Sequence, residues 1–270
     1  MNTLLTLSDT LATHARLSPE KLAVRDSRRS LTYGELDGRT TQLAQCLRGM
    51  GLTAGDRVAV LAHNRAEWLE IYAAMARAAL VAVPINFRLS APEVAYILEH
   101  SEARAVIAGP AFCALLDGLE SQATVPATHR LMLGDDQDAP PNRWRGYEAA
   151  LATTNNSVPA CPAEPLDPFA IMYTSGTTGR PKGAVRNHAG SYLMALATAL
   201  EMGFSAQDTA LLVMPLCHAN SLNFGCTFLH LGATIVVDDS RSFDAQTLLA
   251  TLSRERVTFT SLVPTHYIMM

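Results

Sequence analysis

The sequence lacks three features that would place a protein early in a large functional class. No block of lysine and arginine occurs in its 270 residues, and the net charge is -4, so nothing indicates general binding to nucleic acid. The five cysteines are an odd number without a C-x-x-C pair, which argues against a disulfide framework or a zinc site. That cysteine usage is typical of a reducing compartment, so we expect a cytoplasmic protein.

The chain also lacks a membrane-spanning or secretory segment. The most apolar stretch, residues 72–85, is too short to cross a bilayer and contains Arg77. Residues 1–16 have neither a basic start nor a long apolar run, so we expect no signal peptide. With 49% hydrophobic and 17% charged residues, the chain can bury a sizeable core of one or two domains. Contact with a membrane surface stays open.

Short apolar runs alternate with helical patterns along the chain. Residues 58–62, 81–86 and 105–108 are predicted strands, and 91–100 and 188–202 are predicted helices. Alternation of this kind is typical of βαβ units. It predicts an α/β fold of mostly parallel sheets flanked by helices.

One proline-containing stretch, residues 155–168, is interpreted as a linker. It divides the chain into a first α/β subdomain, residues 1–163, and a second one, residues 164–270. Near the end, residues 257–262 are predicted to form a core strand, and residues 263–270 to leave an apolar end exposed.

The most informative stretch is Y-T-S-G-T-T-G-R-P-K-G, from Tyr173 to Gly183. Glycines let backbone N–H groups turn towards an anion, hydroxyls donate hydrogen bonds to phosphate oxygens, and Lys182 supplies a positive charge. The stretch therefore predicts a loop that holds a polyphosphate. The alternative is an ordinary surface turn, which is common for shorter matches.

This stretch is not a Walker A loop. That pattern ends in Gly-Lys-Ser/Thr and leads into a helix, whereas here Pro181 precedes Lys182 and Gly183 follows it. Residues 169–173 and 183–186 are predicted strands on either side. A loop between two strands offers no helix dipole, so hydroxyls and lysine must do more of the binding.

The whole stretch resembles the YTSGTTGxPKG motif of the adenylate-forming superfamily, which includes acyl-CoA synthetases, peptide-synthetase adenylation domains and luciferases. Residues 31–36, 81–86 and 214–218 resemble further motifs, the last being M-P-L-x-H. The resemblance covers nearly the whole chain but implies only the amino-terminal part of the family fold. The family's magnesium-binding glutamate, ribose-binding aspartate and carboxyl-terminal small domain are absent, so the second subdomain is expected to be incomplete.

The resemblance implies an AMP-forming acyl-CoA synthetase that activates a carboxylic acid, a fatty acid above all, with ATP and transfers it to CoA. Mg2+ accompanies the ATP, and no metal ligand is assigned in this chain. His218 would contact the acid, although a lone histidine at a strand end is often a packed core residue. The residues carried over to the phosphates are Thr174, Ser175, Gly176, Thr177, Thr178, Gly179 and Lys182.

Several other residues have competing interpretations. Cys217 beside His218 could be a nucleophile, but neighbours on an extended strand point to opposite faces, so we expect packing. Asp238 and the following Asp239 could hold a metal or simply end a strand. Arg186 and His188 could face the phosphates or form a polar helix start.

Two other functions stay open at this level. One is a peptide-synthetase-type or luciferase-like adenylation domain, and the other is a non-catalytic fragment that binds nucleotide weakly. The residues 1–270 alone are expected to be aggregation-prone and inactive in thioester formation.

Overall fold

The computed structural model describes residues 6–119, 125–134, 139–154, 163–174 and 180–270. Helices and strands alternate through most of these ranges, as the apolar pattern predicts. The strands are β1 Leu22–Arg25, β2 Ser30–Thr32, β3 Arg57–Leu61, β4 Val81–Pro84, β5 Ala105–Ala108, β6 Arg130–Met132, β7 Arg145–Gly146, β8 Pro168–Thr174, β9 Lys182–Asn187, β10 Thr209–Leu212, β11 Thr234–Val237 and β12 Phe259–Thr260. The α-helices are α1 Leu7–Leu17, α2 Tyr33–Gly49, α3 Glu67–Arg77, α4 Ala91–His100, α5 Pro110–Asp117, α6 Tyr147–Ala152, α7 His188–Met202, α8 Ala219–Leu231, α9 Ala245–Arg254 and α10 Pro264–Met269, and Ala127–His129 forms a 3-10 turn.

Two sheets frame the molecule. The larger has the strand order β7-β6-β5-β3-β4-β8-β9, and the smaller has the order β12-β10-β11-β1-β2. Every neighbouring pair is parallel except β8–β9 and β1–β2. The predicted α/β class with mostly parallel sheets is therefore confirmed. Strands from both sides of the 163/164 boundary lie in each sheet, and the division into subdomains there stays a prediction.

The helices form layers between and outside the sheets. On β3, Val58 and Val60 face the central core, which also contains the buried faces of α1, α2, α3 and α8 together with residues of the smaller sheet. Ala59 and Leu61 face the other way, into a second core with α4 and α5. Successive residues of a strand point to opposite faces, so a strand that is buried on both sides reads as one continuous apolar run.

Local caps explain where the helices begin. Thr32 and Glu35 form a reciprocal capping box at the start of α2, and Asn187 accepts from the Gly190 N–H at the start of α7. Gly203 ends α7 with φ 69°, a left-handed conformation that glycine adopts without strain. The predicted helices 91–100 and 188–202 have the predicted bounds.

The local structure differs from the sequence pattern at several places. The pattern predicts a helix over residues 223–231, whereas α8 begins at Ala219. The expected core strand 257–262 is only the two-residue β12, a half-buried edge strand that pairs with β10. The helices α5 and α6 and the strands β6 and β7 were not predicted, because segments of two to eight residues carry too little periodicity.

The surface of the last helix is apolar, as expected. Residues in and beside α10 are exposed, with Ile268 84% accessible to solvent. The acidic, proline-containing stretch 135–141 is also predicted to be a surface loop, and its residues 135–138 lie outside the described ranges, as do residues 155–162 of the expected linker. Among the residues that the structure describes, no helix is both long and apolar enough to span a membrane.

Candidate functional site

The predicted phosphate loop lies at the tip of the β8–β9 hairpin. Thr174 and Lys182 face each other as the last pair of the antiparallel ladder, and both are exposed. The Thr174 hydroxyl donates to the Lys182 carbonyl at 3.5 Å. This confirms the predicted strand–loop–strand arrangement. Ser175, Gly176, Thr177, Thr178 and Gly179 lie outside the described residues.

Gly183 shows why glycine follows the lysine. A Cβ atom at Gly183 would lie 2.6 Å from Cγ2 of Ile171 and 3.2 Å from the ring of Tyr173. Real Cβ atoms do not approach that closely, so only glycine lets β9 lie flat against the Tyr173 ring. The strand register that presents Lys182 opposite Thr174 depends on this close approach.

A second polar region is a cavity of about 370 Å³ at the carboxyl ends of the parallel strands. Segments that follow β3, β4, β10 and β11 all contribute to its wall, and His218 lies on its rim. In open α/β sheets, ligands bind at this edge. Neither Thr174 nor Lys182 lines the cavity, so the predicted site residues form two groups rather than one.

Asn64 follows β3 within a few residues, and its side chain forms hydrogen bonds with several backbone segments at this edge. Its Nδ2 donates to the carbonyls of Val213, Met214 and Asp238 at 3.2 to 3.3 Å. Its Oδ1 accepts from the Leu216 N–H at 2.8 Å. One side chain from the larger sheet thus holds the segment between β10 and His218 in the smaller sheet.

His218 begins α8, and its own environment keeps it uncharged. Partial burial lowers the pKa of its imidazole, and the charge of Arg88, which also lines the cavity, lowers it further. The site therefore presents a fixed guanidinium beside a neutral histidine at pH 7. A neutral imidazole can hydrogen-bond a carboxylate, while Arg88 supplies the charge.

Cys217 is a packed residue, as expected, although the reason given for it was wrong. Residues 215–218 form a turn, in which the His218 N–H donates to the Pro215 carbonyl at 3.0 Å, and not an extended strand. The thiol is 5% exposed, and burial raises its pKa to about 11. A thiol of that kind is a poor nucleophile at neutral pH.

The interpretation of the acidic pair as a strand end fits the geometry. The Asp239 carboxylate accepts from the Ser27 hydroxyl at 2.6 Å, and the Asp238 carboxylate accepts from the Ser240 N–H. Within the described ranges, no group of three histidine, cysteine or acidic side chains could hold a metal ion.

His188 is a packed core residue, while Arg186 keeps both interpretations. His188 is 2% exposed, packs against Phe169 with ring centres 5.2 Å apart, and burial lowers its pKa to about 4. The charge of Arg186 acts on Tyr72 and Cys226, which lie in the layer between the sheets. Packing at the start of α7 thus explains His188 better than phosphate contact, whereas Arg186 is half-buried on β9 and lines an open groove.

Two residues of the site, Asn64 and Arg88, were missed from the sequence. Both follow predicted strands within a few residues, and both line the cavity. The rule that polar residues after parallel strands face the ligand edge could have found them.

Comparison with known proteins places these features in one family. The family model described as AMP-binding enzyme matches residues 11–270. Indoleacetate–CoA ligase of Aromatoleum aromaticum is 35% identical over 98% of this chain and 51% of its own length. Long-chain-fatty-acid–CoA ligase FadD13 of Mycobacterium tuberculosis is 33% identical over 87% of this chain and 44% of its own length.

The fold agrees with that assignment. The inhibitor-bound N-terminal domain of FACL13 from Mycobacterium tuberculosis superposes with a TM-score of 0.87 at 30% identity, covering 98% of this chain and 64% of that one. The chain thus spans about half the length of the curated relatives it matches.

Proposed function

Because the chain belongs to the AMP-binding enzyme family, we propose that it carries the phosphate-binding and acid-binding residues of an AMP-forming acid–CoA ligase. The observation that carries this proposal is the hairpin that presents Lys182 opposite Thr174 at the ends of the complete glycine- and hydroxyl-rich motif. A loop of that composition on two strands suits a polyphosphate that is held and then released.

The reaction overcomes the poor reactivity of a carboxylate. A carboxylate oxygen attacks the α-phosphorus of ATP, the bond to the bridging oxygen breaks, and pyrophosphate leaves with the electron pair. The sulfur of CoA then attacks the acyl carbon of the adenylate, and AMP leaves. The protein contributes chiefly by positioning these groups and neutralising charge.

The two halves of the site divide this work. Lys182 and the hydroxyls of the loop hold the β- and γ-phosphates, where charge accumulates on the departing pyrophosphate. We assign His218 and Arg88 to the binding of the acid at the carboxyl ends of the strands. His218 is neutral, and Arg88 carries a fixed positive charge beside the cavity. A neutral His218 can orient the carboxylate by a hydrogen bond, while Arg88 balances its charge.

The acid itself is proposed to be a carboxylic acid with an apolar body, a fatty acid above all. The similarity to a long-chain-fatty-acid ligase supports this choice, and the similarity to an indoleacetate ligase supports an aromatic acid as the alternative. A cytoplasmic location is supported by Cys46, Cys113, Cys217 and Cys226, which are free thiols buried in the fold.

The residues that the structure describes do not form a set of protein ligands for Mg2+. The described residues bring no three acidic or histidine ligands together, and Mg2+ in such enzymes is usually held largely by phosphates and water. We therefore assign no step to residues that would hold the ion.

The proposal is tested by acid-dependent exchange of labelled pyrophosphate into ATP. The protein expressed from its complete reading frame should exchange only when an acid is present, and should release AMP once CoA is added. The 270-residue chain alone is run in parallel, and we expect it to bind ATP weakly without forming thioester. Exchange without acid, or AMP release without CoA dependence, would contradict the assignment as an acid–CoA ligase.

A further inference from the structure

The helix α4 contacts the carboxyl side of the phosphate loop. The Tyr96 hydroxyl donates to the Pro181 carbonyl at 3.2 Å, one residue before Lys182. The guanidinium of Arg180 lies over the Tyr96 ring, 5.6 Å from its centre, within reach of a cation–π contact. Two consecutive loop residues are therefore held by one aromatic side chain.

The same helix also contacts the other strand of the hairpin. Nδ1 of His100 lies 2.7 Å from the Tyr173 hydroxyl, and the two rings meet edge to face with centres 5.7 Å apart. Tyr173 is the residue that pairs with Gly183. Because Tyr96 and His100 are one turn apart and stack at 5.2 Å, both contacts come from one face of α4.

The helix is a firm support for these contacts. A capping box between Ser90 and Glu93 closes its first turn. Its opposite face is buried against the larger sheet through Val94, Ile97 and Leu98. By contrast, β9 lies at the edge of that sheet and, among the strands that the structure describes, pairs only with β8. Edge strands with exposed backbone open more easily than central ones.

We propose that Tyr96 and His100 are positioning residues that hold the hairpin so that Lys182 meets the phosphates at a fixed place. We call their contacts with Pro181, Arg180 and Tyr173 the α4 tether. The inference rests on the proposed function, in which Lys182 binds the pyrophosphate end of ATP. Neither Tyr96 nor His100 touches the reacting atoms.

Trypsin offers a direct readout of the tether. The Lys182–Gly183 bond is a cleavage site, whereas Pro181 protects the bond after Arg180. When local opening is fast, the cleavage rate at Lys182 follows the population of the open hairpin. Mass spectrometry of limited digests separates this cut from cuts elsewhere in the folded chain.

The key variant is Tyr96→Phe, which removes the hydroxyl but keeps the ring under Arg180. We expect cleavage at Lys182 to rise about fivefold, the usual effect of losing one hydrogen bond. Tyr173→Phe tests the contact with His100 in the same way. The matched control is Tyr192→Phe on α7, whose ring packs against His230 of α8 and not against a residue of the tether. Its cleavage rate should equal that of the wild-type chain.

A second readout separates positioning from general stability. Pyrophosphate with magnesium should protect Lys182 in the wild-type chain, and Tyr96→Phe should need severalfold more of it for half protection, because Lys182 of the closed hairpin is no longer held at one place. A loss of global stability alone would not change that concentration in the folded population.

The outcomes are distinct. Equal cleavage of Tyr96→Phe and wild type overturns the tether, and so does an equal rise in the Tyr192→Phe control. Failure of pyrophosphate to protect the wild type contradicts the proposed function of Lys182, while the cleavage data continue to test the tether. If Tyr96→Phe raises the cleavage rate but leaves the half-protecting concentration of pyrophosphate unchanged, Tyr96 only stabilises the hairpin. That result overturns its positioning role.

Discussion

The two halves of the candidate site are built in opposite ways. The segment before His218 is held by three hydrogen bonds with the half-buried side chain of Asn64, which also donates to the Asp238 carbonyl after β11. The hairpin that carries Lys182 projects from an edge strand, and Lys182 itself is exposed. One half is therefore fixed by the fold, whereas the other depends on local contacts at the surface.

This difference fits the chemistry that each half is proposed to do. An acid must be oriented before it attacks, which favours a preformed wall around the cavity. A polyphosphate must enter, be held through the transition state and leave as pyrophosphate, which favours a segment that can open. Mutations in the two halves should consequently separate effects on activity from effects on stability.

The largest expected effect belongs to Lys182→Ala. Acid-dependent pyrophosphate exchange should fall by a factor on the order of ten to a thousand, the scale of losing one preorganised charge contact. Because the side chain is exposed, the free energy of unfolding should change by less than about 0.5 kcal/mol. Exchange rates and urea unfolding measured together test both statements.

Lys21, the other lysine of the sequence, is the matched control for Lys182. Its Nζ donates to the carbonyls of Ala206 and Gly232, so Lys21→Ala should lower stability and spare the exchange reaction. If Lys182→Ala left the exchange rate unchanged, Lys182 would have no place in the mechanism.

The next effect is on stability, at the other half of the site. Asn64→Ala should lower the free energy of unfolding by about 2–3 kcal/mol, because it removes several partly buried hydrogen bonds at once. Urea titration at fixed pH measures this. Asn64→Asp keeps an acceptor for the Leu216 N–H but loses the donor, so it should recover only part of the loss.

Asn220→Ala controls for the loss of an asparagine in the same region. Asn220 is exposed, and its amide donates only to the Ser261 hydroxyl, so we expect less than about 0.5 kcal/mol. A loss for Asn64→Ala no larger than that of the control would show that the Pro215–His218 turn does not depend on Asn64.

A smaller effect is expected from pH at the foot of the hairpin. Burial lowers the pKa of His188 from 6.5 to about 4, so the unfolded chain binds this proton more readily than the folded one. The stability that comes from a neutral His188 is present above pH 6.5 and is lost as the pH falls towards 4. Between pH 7 and 5, the wild type should lose about 1–2 kcal/mol more than His188→Phe.

The measurement is the dependence of unfolding free energy on pH, not its absolute value, since His188→Phe changes the packing against Phe169. His129→Gln replaces a half-buried histidine of the 3-10 turn and is the control for the loss of one histidine. Parallel curves for wild type and His188→Phe would contradict the burial-driven shift.

The smallest effect is expected at His218. It is exposed at the rim of the cavity, so His218→Ala should raise the KM for the acid about three- to tenfold and leave the KM for ATP unchanged. His218→Gln keeps a hydrogen-bonding group and should recover part of the loss. A change confined to the ATP constant would remove His218 from the acid site.

Much of the fold could be predicted because the strongest signals are local. β5 and the helices α4 and α7 have the predicted bounds, because apolar runs and helix caps depend on residues that are neighbours in the sequence. The two-residue strands β7 and β12 could not be predicted, because their pairing partners rather than their own residues define them.

The candidate site, like the fold, could be predicted only where its signal lies in neighbouring residues. The motif around Lys182 is contiguous, so its strand–loop–strand form could be predicted from sequence. The role of Asn64 could not, because its partners lie between 149 and 174 positions away along the chain. The extended backbone expected at Cys217 was wrong, because β10 ends at Leu212 and residues 215–218 form a turn.

The interleaved sheets also constrain how the protein folds during synthesis. β1 runs beside β11, and the Thr234 hydroxyl donates to the Leu22 carbonyl, 212 positions away. Loops of that length close slowly, and contacts between distant segments slow folding. The first strands therefore lack their pairing partners, and their apolar faces stay exposed, until most of the chain has left the ribosome. We expect this interval, rather than the finished fold, to be the stage at which chaperones matter most.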